Sequence, residues 1–129
     1  MKNIIALVCF IALSSCGAKQ VLDKSVVSQT PIKQKGFQLV LKNVFNDSRC
    51  PENVTCVWAG EVTTVISVLE NNKPIEEKTL IFNSKNIFDN INWVSKYYTE
   101  KPIKSVQVLP HPKDSVKVAA KDYFLKIEY

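Results

Sequence analysis

The pair of cysteines at positions 50 and 56 constrains the fold of this chain more than any other feature. Five residues separate Cys50 from Cys56, and Pro51 and Asn53 between them favour a turn. We therefore predict a tight turn that a disulfide can close. The residues from Val57 onward are mostly apolar, so we expect the turn to lead directly into a strand.

The N-terminus has the organisation of an export signal. Lys2 supplies a positive charge, and residues 4–13 form an apolar run of ten residues. This length is typical of a signal peptide and is too short for a helix that crosses a bilayer core about 30 Å thick. We therefore predict that residues 1–15 are a signal peptide that is removed on export.

The end of this run, Leu13-Ser14-Ser15-Cys16, resembles the lipobox of bacterial lipoproteins. The resemblance implies that Cys16 becomes the new N-terminus and carries acyl chains such as palmitate, which would anchor the protein in the lipid bilayer. The alternative is an ordinary signal peptidase site, which would leave Cys16 as a free thiol. We predict lipidation of Cys16, a lipid-anchored tether over residues 16–35 and a folded domain over residues 36–129. The alternative for the end of the tether is a first, edge strand that begins at Val26 and Val27.

The position of the cysteines agrees with this organisation. Of the four cysteines, Cys9 leaves with the signal peptide and Cys16 carries lipid. Cys50 and Cys56 remain, in a compartment that permits disulfides. No acidic run follows Cys16, and for a chain without one the resemblance to lipobox proteins implies anchoring in the outer membrane with the domain facing the periplasm. Display on the cell surface is the alternative.

The apolar pattern of the domain is that of short strands. Phe37, Leu39 and Leu41 alternate with other residues at the two-residue period of a half-buried strand. Strands are predicted over residues 37–42, 57–69, 78–82, 103–109 and 123–129, with a hairpin turn at Asn71 and Asn72. We predict an all-β, mainly antiparallel fold, a small β-sandwich or barrel with one disulfide.

One segment favours a helix instead. Ile87, Ile91, Val94 and Tyr98 follow one another at spacings of four, three and four residues, which is typical of one face of a helix. Residues 93–98 also have strand character, so the prediction for residues 83–99 is a short helix or a turn-rich crossover.

The charge of the chain argues against a nucleic-acid partner. The formal net charge is +5, and removal of Lys2 with the signal peptide lowers it by one. The lysines are dispersed among acidic residues, with no run of five or more like charges. This pattern is typical of a solvated surface.

The sequence contains no convincing catalytic or metal-binding pattern. The Cys50–Cys56 spacing is wider than that of zinc sites, and His111 is the only histidine. A redox pair would have two residues between its cysteines, and no nucleophile signature accompanies His111. Asp47 with Glu52 or Glu61 is a candidate carboxylate pair, but acidic residues this close to a disulfide turn are expected to cap amides or to pair with Arg49 rather than to act in catalysis. We therefore predict that the protein is not an enzyme and uses no cofactor or metal.

Two residues beside the cysteines are candidates for binding. Arg49 and Trp58 belong to the residue types enriched at interface hot spots, and a turn held by a disulfide loses little entropy when a partner docks. The alternative interpretation is that Trp58 fills the core from a strand and that Arg49 satisfies Asp47.

A wider motif surrounds these residues. Asp47-Ser48-Arg49-Cys50-Pro51, followed by Cys56-Val57-Trp58-Ala59-Gly60, resembles a motif of small exported bacterial proteins, many of them lipoproteins, that have no established activity. Leu109-Pro110-His111-Pro112 and Asp122-Tyr123 are similar to the C-terminal pattern of the same group. The resemblance implies a shared fold and disulfide over residues 37–129, and it implies no catalytic residue.

These observations predict an envelope lipoprotein with a non-catalytic binding or structural role and an unknown protein or glycan partner. The alternative is an inhibitor of an envelope or host enzyme, such as a lysozyme or a protease, that acts through the rigid turn over residues 49–53.

Overall fold

A computed structural model describes residues 26–27, 32–34, 36–98, 101–114 and 116–129. The predicted signal peptide, residues 1–15, and the predicted lipidation site, Cys16, lie outside these ranges. Within them, no helix combines the length and the apolar character that a membrane span requires.

The described residues form seven strands, one α-helix and one 3-10 helix. In chain order these are β1 (Val26–Val27), β2 (Ile32–Gln34), β3 (Phe37–Phe45), β4 (Val62–Glu70), β5 (Lys73–Phe82), α1 (Ile87–Tyr97), β6 (Ser105–Leu109), the 3-10 helix (Ala120–Asp122) and β7 (Phe124–Glu128). Both β1 and β2 lie in the range assigned to the tether, so part of that range belongs to the sheets.

The strands form two antiparallel sheets. The first has the order β1-β7-β6 and the second the order β2-β3-β4-β5. This confirms the predicted all-β, mainly antiparallel fold with one disulfide, Cys50–Cys56. The predicted short helix is also present, as α1.

The two sheets and the helix share one apolar core. Leu39, Leu41, Ile66 and Val68 come from the four-stranded sheet, and residues of β1, β6 and β7 approach them from the other sheet. The remaining buried apolar residues of the core are Val27, Val44, Val62, Leu80, Trp93, Val94, Tyr98, Val108, Tyr123, Leu125 and Ile127. Alternation along β3 and β7 directs these side chains inward, as the two-residue period predicts.

The helix α1 lies beside β6 and packs on β5. Trp93 is buried, and its indole N–H donates a hydrogen bond of 2.7 Å to the Glu76 carboxylate of β5. Val94 and Tyr98 of the predicted apolar face are also buried. Ile87, at the first position of the helix, is 50% exposed. The helix therefore lies beside β6, the edge strand of the three-stranded sheet, and packs on the four-stranded sheet. The start of its first turn remains open to solvent.

The largest differences from the predicted strand boundaries lie at the starts of β4 and β5, whereas the bounds of β3, β6 and β7 differ by one to three residues. The β4–β5 hairpin turns at Asn71 and Asn72, which both have positive φ as a two-residue type I′ turn requires. However, β5 begins directly after this turn at Lys73 rather than at residue 78. The expectation that a strand begins at Val57 is wrong. The strand begins at Val62, because the disulfide and the contacts described below hold residues 50–60 outside the sheet.

Candidate functional site

The segment that connects β3 to β4, residues 46–61, is a loop closed by the predicted disulfide. We call it the stapled loop. The Cα atoms of Cys50 and Cys56 are 5.8 Å apart. At its base, the Ser48 N–H donates to the Glu61 carbonyl at 2.8 Å, and the Cys50 N–H donates to the Ala59 carbonyl at 3.0 Å. These bonds extend the antiparallel pairing of β3 and β4 beyond the sheet.

Gly60 makes the close approach at the base of the loop possible. Its φ is +72°, in the left-handed region that favours glycine. A Cβ atom at this position would lie 2.0 Å from the Ser48 carbonyl oxygen. The backbone geometry therefore requires glycine at position 60, the last residue of the Cys56-Val57-Trp58-Ala59-Gly60 segment.

A bidentate ion pair lies at the base of the stapled loop. Nε and Nη2 of Arg49 donate to the two carboxylate oxygens of Asp47, at 2.8 and 2.7 Å. Both side chains are 11% exposed. The Tyr123 hydroxyl donates a further hydrogen bond of 2.9 Å to Asp47 Oδ2. The expectation that Arg49 satisfies Asp47 agrees with this geometry.

Arg49 also binds the segment that follows β6. Its Nη1 donates to the Val108 carbonyl, and its Nη2 donates to the Pro110 carbonyl at 3.1 Å. The Glu52 N–H donates to the Pro112 carbonyl at 3.2 Å. The stapled loop, residues 108–112 and Tyr123 therefore meet in space. The contacts between them hold the stapled loop against the end of the three-stranded sheet.

This network shifts two pKa values in opposite directions. Burial acts to raise the pKa of Asp47, but the hydrogen bonds and charge of Arg49, with the Tyr123 hydroxyl, outweigh burial and hold that pKa below its ordinary value. Burial, followed by the hydrogen bond to Asp47 and the charge of Asp47, raises the pKa of Tyr123 to about 12. The carboxylate and the neutral phenol are therefore the forms that the fold stabilises.

The tip of the stapled loop presents apolar side chains to solvent. Val57 is fully exposed, Trp58 is 71% exposed and Val54 is 42% exposed. Trp58 is therefore not core filler. Of the two candidate binding residues, Trp58 is available to a partner, whereas the guanidinium of Arg49 is engaged by three protein groups.

Glu61 and His111 are the other residues considered for chemistry. Glu61 accepts a hydrogen bond of 3.0 Å from Asn83 Nδ2, and His111 is half-buried beside Pro110. Nδ1 of His111 is buried and has no hydrogen-bond partner among the described residues. Within the same ranges, no three histidine, cysteine or acidic side chains come close enough together to hold a metal ion.

A cavity that no sequence pattern predicted lies next to the stapled loop. Its volume is about 240 Å³, and residues of β6, the first turns of α1, and the adjoining ends of β4 and β5 line it. We call it the seam cavity. Its lining comprises Arg49, Val62, Phe82, Asn83, Ile87, Asn90, Val106, Gln107, Val108, Leu109 and His111. No local pattern marks these residues, because they converge from six segments of the chain.

A second cleft, also of about 240 Å³, lies between the stapled loop and the residues that follow β5. It is lined by Trp58, Glu61 and Lys85, among others, and Asn83 lines both this cleft and the seam cavity. The exposed indole of Trp58 therefore lines this second cleft and not the seam cavity.

Comparison of the chain with protein-family models, with curated proteins and with solved structures found no match.

Proposed function

We propose that this protein is a non-catalytic binding module of the bacterial envelope and that the stapled loop is the surface that contacts a protein partner. The observation that carries the proposal is the exposure of Trp58 at the tip of a loop that is otherwise fixed at several points. Val54, Val57 and Trp58 are all exposed on this one disulfide-held loop, and tryptophan is strongly enriched among the residues that dominate interface energies.

The residues of the stapled loop fall into two groups, and this separation supports the same interpretation. Asp47, Arg49 and Glu52 bind other parts of the protein and fix the base of the loop. Val57 and Trp58 contribute little to the core and remain free to be buried by a partner. A loop that is ordered before binding loses little conformational entropy on association.

In this proposal the lipobox supplies the location. Acylation of Cys16 would anchor the domain in a bacterial membrane. The proposed location is the outer membrane, with the domain facing the periplasm. Inhibition of an envelope or host enzyme is the second candidate. It is favoured by the same exposed, disulfide-held loop, because a rigid loop can occupy the cleft of an enzyme without loss of its own order.

The test is capture from detergent-solubilised envelopes with the tagged, lipidated protein as bait. Trp58→Ala is compared with Phe88→Ala, which removes another aromatic residue that is 80% exposed. We expect a captured protein to be lost with Trp58→Ala and with Cys50→Ser/Cys56→Ser, and to be retained with Phe88→Ala. The captured protein, once purified, should bind the wild-type domain and not the Trp58→Ala domain.

Equal capture by the wild type and Trp58→Ala would contradict the proposal, as would unfolding of the Trp58→Ala domain. If the captured protein is an enzyme, stoichiometric loss of its activity on addition of the domain would distinguish inhibition from simple binding.

A further inference from the structure

The four-stranded sheet has an outer face that is directed away from the apolar core. Leu41 of β3 and Ile66 of β4 are buried in the core, so the side chains that alternate with them point to the other side of the sheet. In β5, Glu76 accepts the hydrogen bond from Trp93 on the inner side, where α1 packs. Its neighbours Ile75 and Glu77 therefore belong to the outer face, and both are exposed.

This outer face is more apolar than the solvated side of an antiparallel sheet is expected to be. Its apolar members are Val40, Phe45, Val65, Leu69, Ile75 and Ile81. Between the two ends of the sheet, its charged members are Lys42, which is exposed at a register shift in β3, and Glu77. A centre with few charges is typical of the buried part of a protein interface.

The strand registers make this face complementary to a second copy of itself. A twofold axis that runs along β4 places β5 of one copy over β3 of the other, at the same level along the strands. Thr63 pairs with Phe45 on one side and with Ile81 on the other, so this axis brings the two apolar side chains together. In the next row of the face it brings Asn43 and Thr79 together, and both of these are polar.

The two charges of the face also match under this axis. Ser67 pairs with Val40 in β3 and with Glu77 in β5, so Glu77 of one copy lies over Val40 of the other. Lys42 is two residues from Val40, which is about 7 Å along the strand and within reach of a lysine side chain. Among the described residues, neither Lys42 nor Glu77 has an ion-pair partner within its own copy. Two equivalent ion pairs, one on each side of the axis, would therefore form between two copies.

The size of the face predicts a weak dimer. From the usual spacing of strands and of residues along them, the outer face of β3, β4 and β5 covers about 400 Å². A stable complex usually buries about 800 Å² on each partner. Acylation of Cys16, as proposed above, would confine the copies to one membrane and so raise their effective concentration.

We propose that the outer face of the four-stranded sheet is a dimer interface that packs on the same face of a second copy of this chain, with ion pairs between Lys42 and Glu77. The stapled loop is not part of this face, so the inference does not depend on the protein partner proposed above.

The test is sedimentation equilibrium of the full lipidated chain in a detergent whose density is matched by the solvent. We expect a monomer–dimer equilibrium with a Kd on the order of 10 µM, as for a small, transient interface. Glu77→Lys places a lysine against Lys42 of the other copy and should raise this Kd about tenfold. Lys42→Glu should have the same effect. The double variant Lys42→Glu/Glu77→Lys restores opposite charges, and its Kd should return to within about twofold of the wild-type value.

Asp89→Lys is the matched control, because it changes the net charge by the same amount at an exposed position of α1. It should leave the Kd unchanged. Lys42, Glu77 and Asp89 are all exposed, so each of these variants should keep the fold.

Three results would overturn the proposal. They are a wild-type chain that is monomeric at every concentration, a Kd that Glu77→Lys does not change, and a double variant that associates as weakly as the single variants. A monomeric chain that loses capture of an envelope protein with Glu77→Lys would assign the face to a different protein, and this too would overturn the proposal. The capture experiment with Trp58→Ala tests another surface, so the two proposals can fail separately.

Discussion

The hydroxyl of Tyr123 donates a hydrogen bond of 2.9 Å to Oδ2 of Asp47, a residue 76 positions earlier in the chain. Asp47 belongs to the stapled loop, and Tyr123 directly precedes β7 of the three-stranded sheet. The same carboxylate accepts hydrogen bonds from the guanidinium of Arg49. That guanidinium also donates to the carbonyls of Val108 and Pro110, at the end of β6. The position of the loop therefore depends on contacts with the second sheet as well as on its own disulfide.

The first prediction concerns the Tyr123 hydroxyl. Tyr123→Phe removes the hydrogen bond to a charged acceptor and keeps the ring, which is 8% exposed. We expect the free energy of unfolding to fall by about 1.5–3 kcal/mol, the range for hydrogen bonds to charged groups. Urea unfolding followed by circular dichroism measures the change. Tyr129→Phe, at the partly exposed C-terminal residue, is the control and should change stability by less than about 0.5 kcal/mol.

The second prediction separates the structural role of Arg49 from a role in binding. Arg49→Lys keeps the positive charge but cannot form the fork to Asp47 and reach Val108 and Pro110 at the same time. We expect a loss of about 2–4 kcal/mol in the free energy of unfolding, because buried groups lose their partners. A variant as stable as the wild type that had lost partner capture would instead make Arg49 a contact residue.

The third prediction is a loss of stability at alkaline pH. The pKa of Tyr123 is about 12 in the folded protein, against an ordinary value of 10. The unfolded chain therefore loses this proton first, and its contribution to stability is complete below pH 10 and is lost as the pH rises towards about 12. Tyr97, whose pKa is raised by its hydrogen bond to Glu76, acts in the same direction.

Unfolding measurements between pH 9 and 12 test this dependence, with the pH values chosen to span both titrations of Tyr123. Tyr123→Phe should reduce the slope of stability against pH in this interval. An unchanged slope in that variant would show that the Tyr123 phenol does not titrate differently in the folded and unfolded chains.

Local patterns predicted the features that depend on neighbouring residues. The alternation of Phe37, Leu39 and Leu41 predicted β3, and the Asn71-Asn72 pair predicted the turn between β4 and β5. The disulfide was predicted from the number and position of the cysteines and is confirmed. In each case the physical cause lies within a few residues of the pattern.

Features that depend on distant contacts were not predictable in this way. The apolar character of Val57 and Trp58 predicted a strand, but the contacts of Arg49 and the geometry of Gly60 keep these residues outside the sheet. The ion pair of Asp47 with Arg49 was expected, whereas its link to Tyr123 was not. The seam cavity has no local signal, because its lining comes from residues 49–111.

The fourth prediction concerns the disulfide. Cys50→Ala/Cys56→Ala opens a short loop, for which the chain-entropy estimate gives a loss of about 2 kcal/mol in the free energy of unfolding. The sheets should remain folded, because the ion pair and the hydrogen bonds at the base of the loop persist. Far-UV circular dichroism together with urea unfolding tests both statements. Global unfolding of this variant would mean that the disulfide supports the whole domain.

The fifth prediction compares two glycines that both have positive φ. Gly36 has a φ of +82°, and apart from its chain neighbours no atom of the described residues lies within 4 Å of the position that a Cβ would take, so Gly36→Ala should cost only the backbone strain of about 1–2 kcal/mol. Gly60→Ala carries the same strain, and in addition its Cβ would lie 2.0 Å from the Ser48 carbonyl oxygen. The base of the stapled loop must therefore shift.

We expect Gly60→Ala to be less stable than Gly36→Ala by at least about 1 kcal/mol in urea unfolding. It should also weaken partner capture, since the loop that carries Trp58 is displaced, whereas Gly36→Ala should capture the partner normally. Equal stability of the two variants would show that the loop relaxes without cost. In that case the rigidity on which the proposed binding surface depends would be absent.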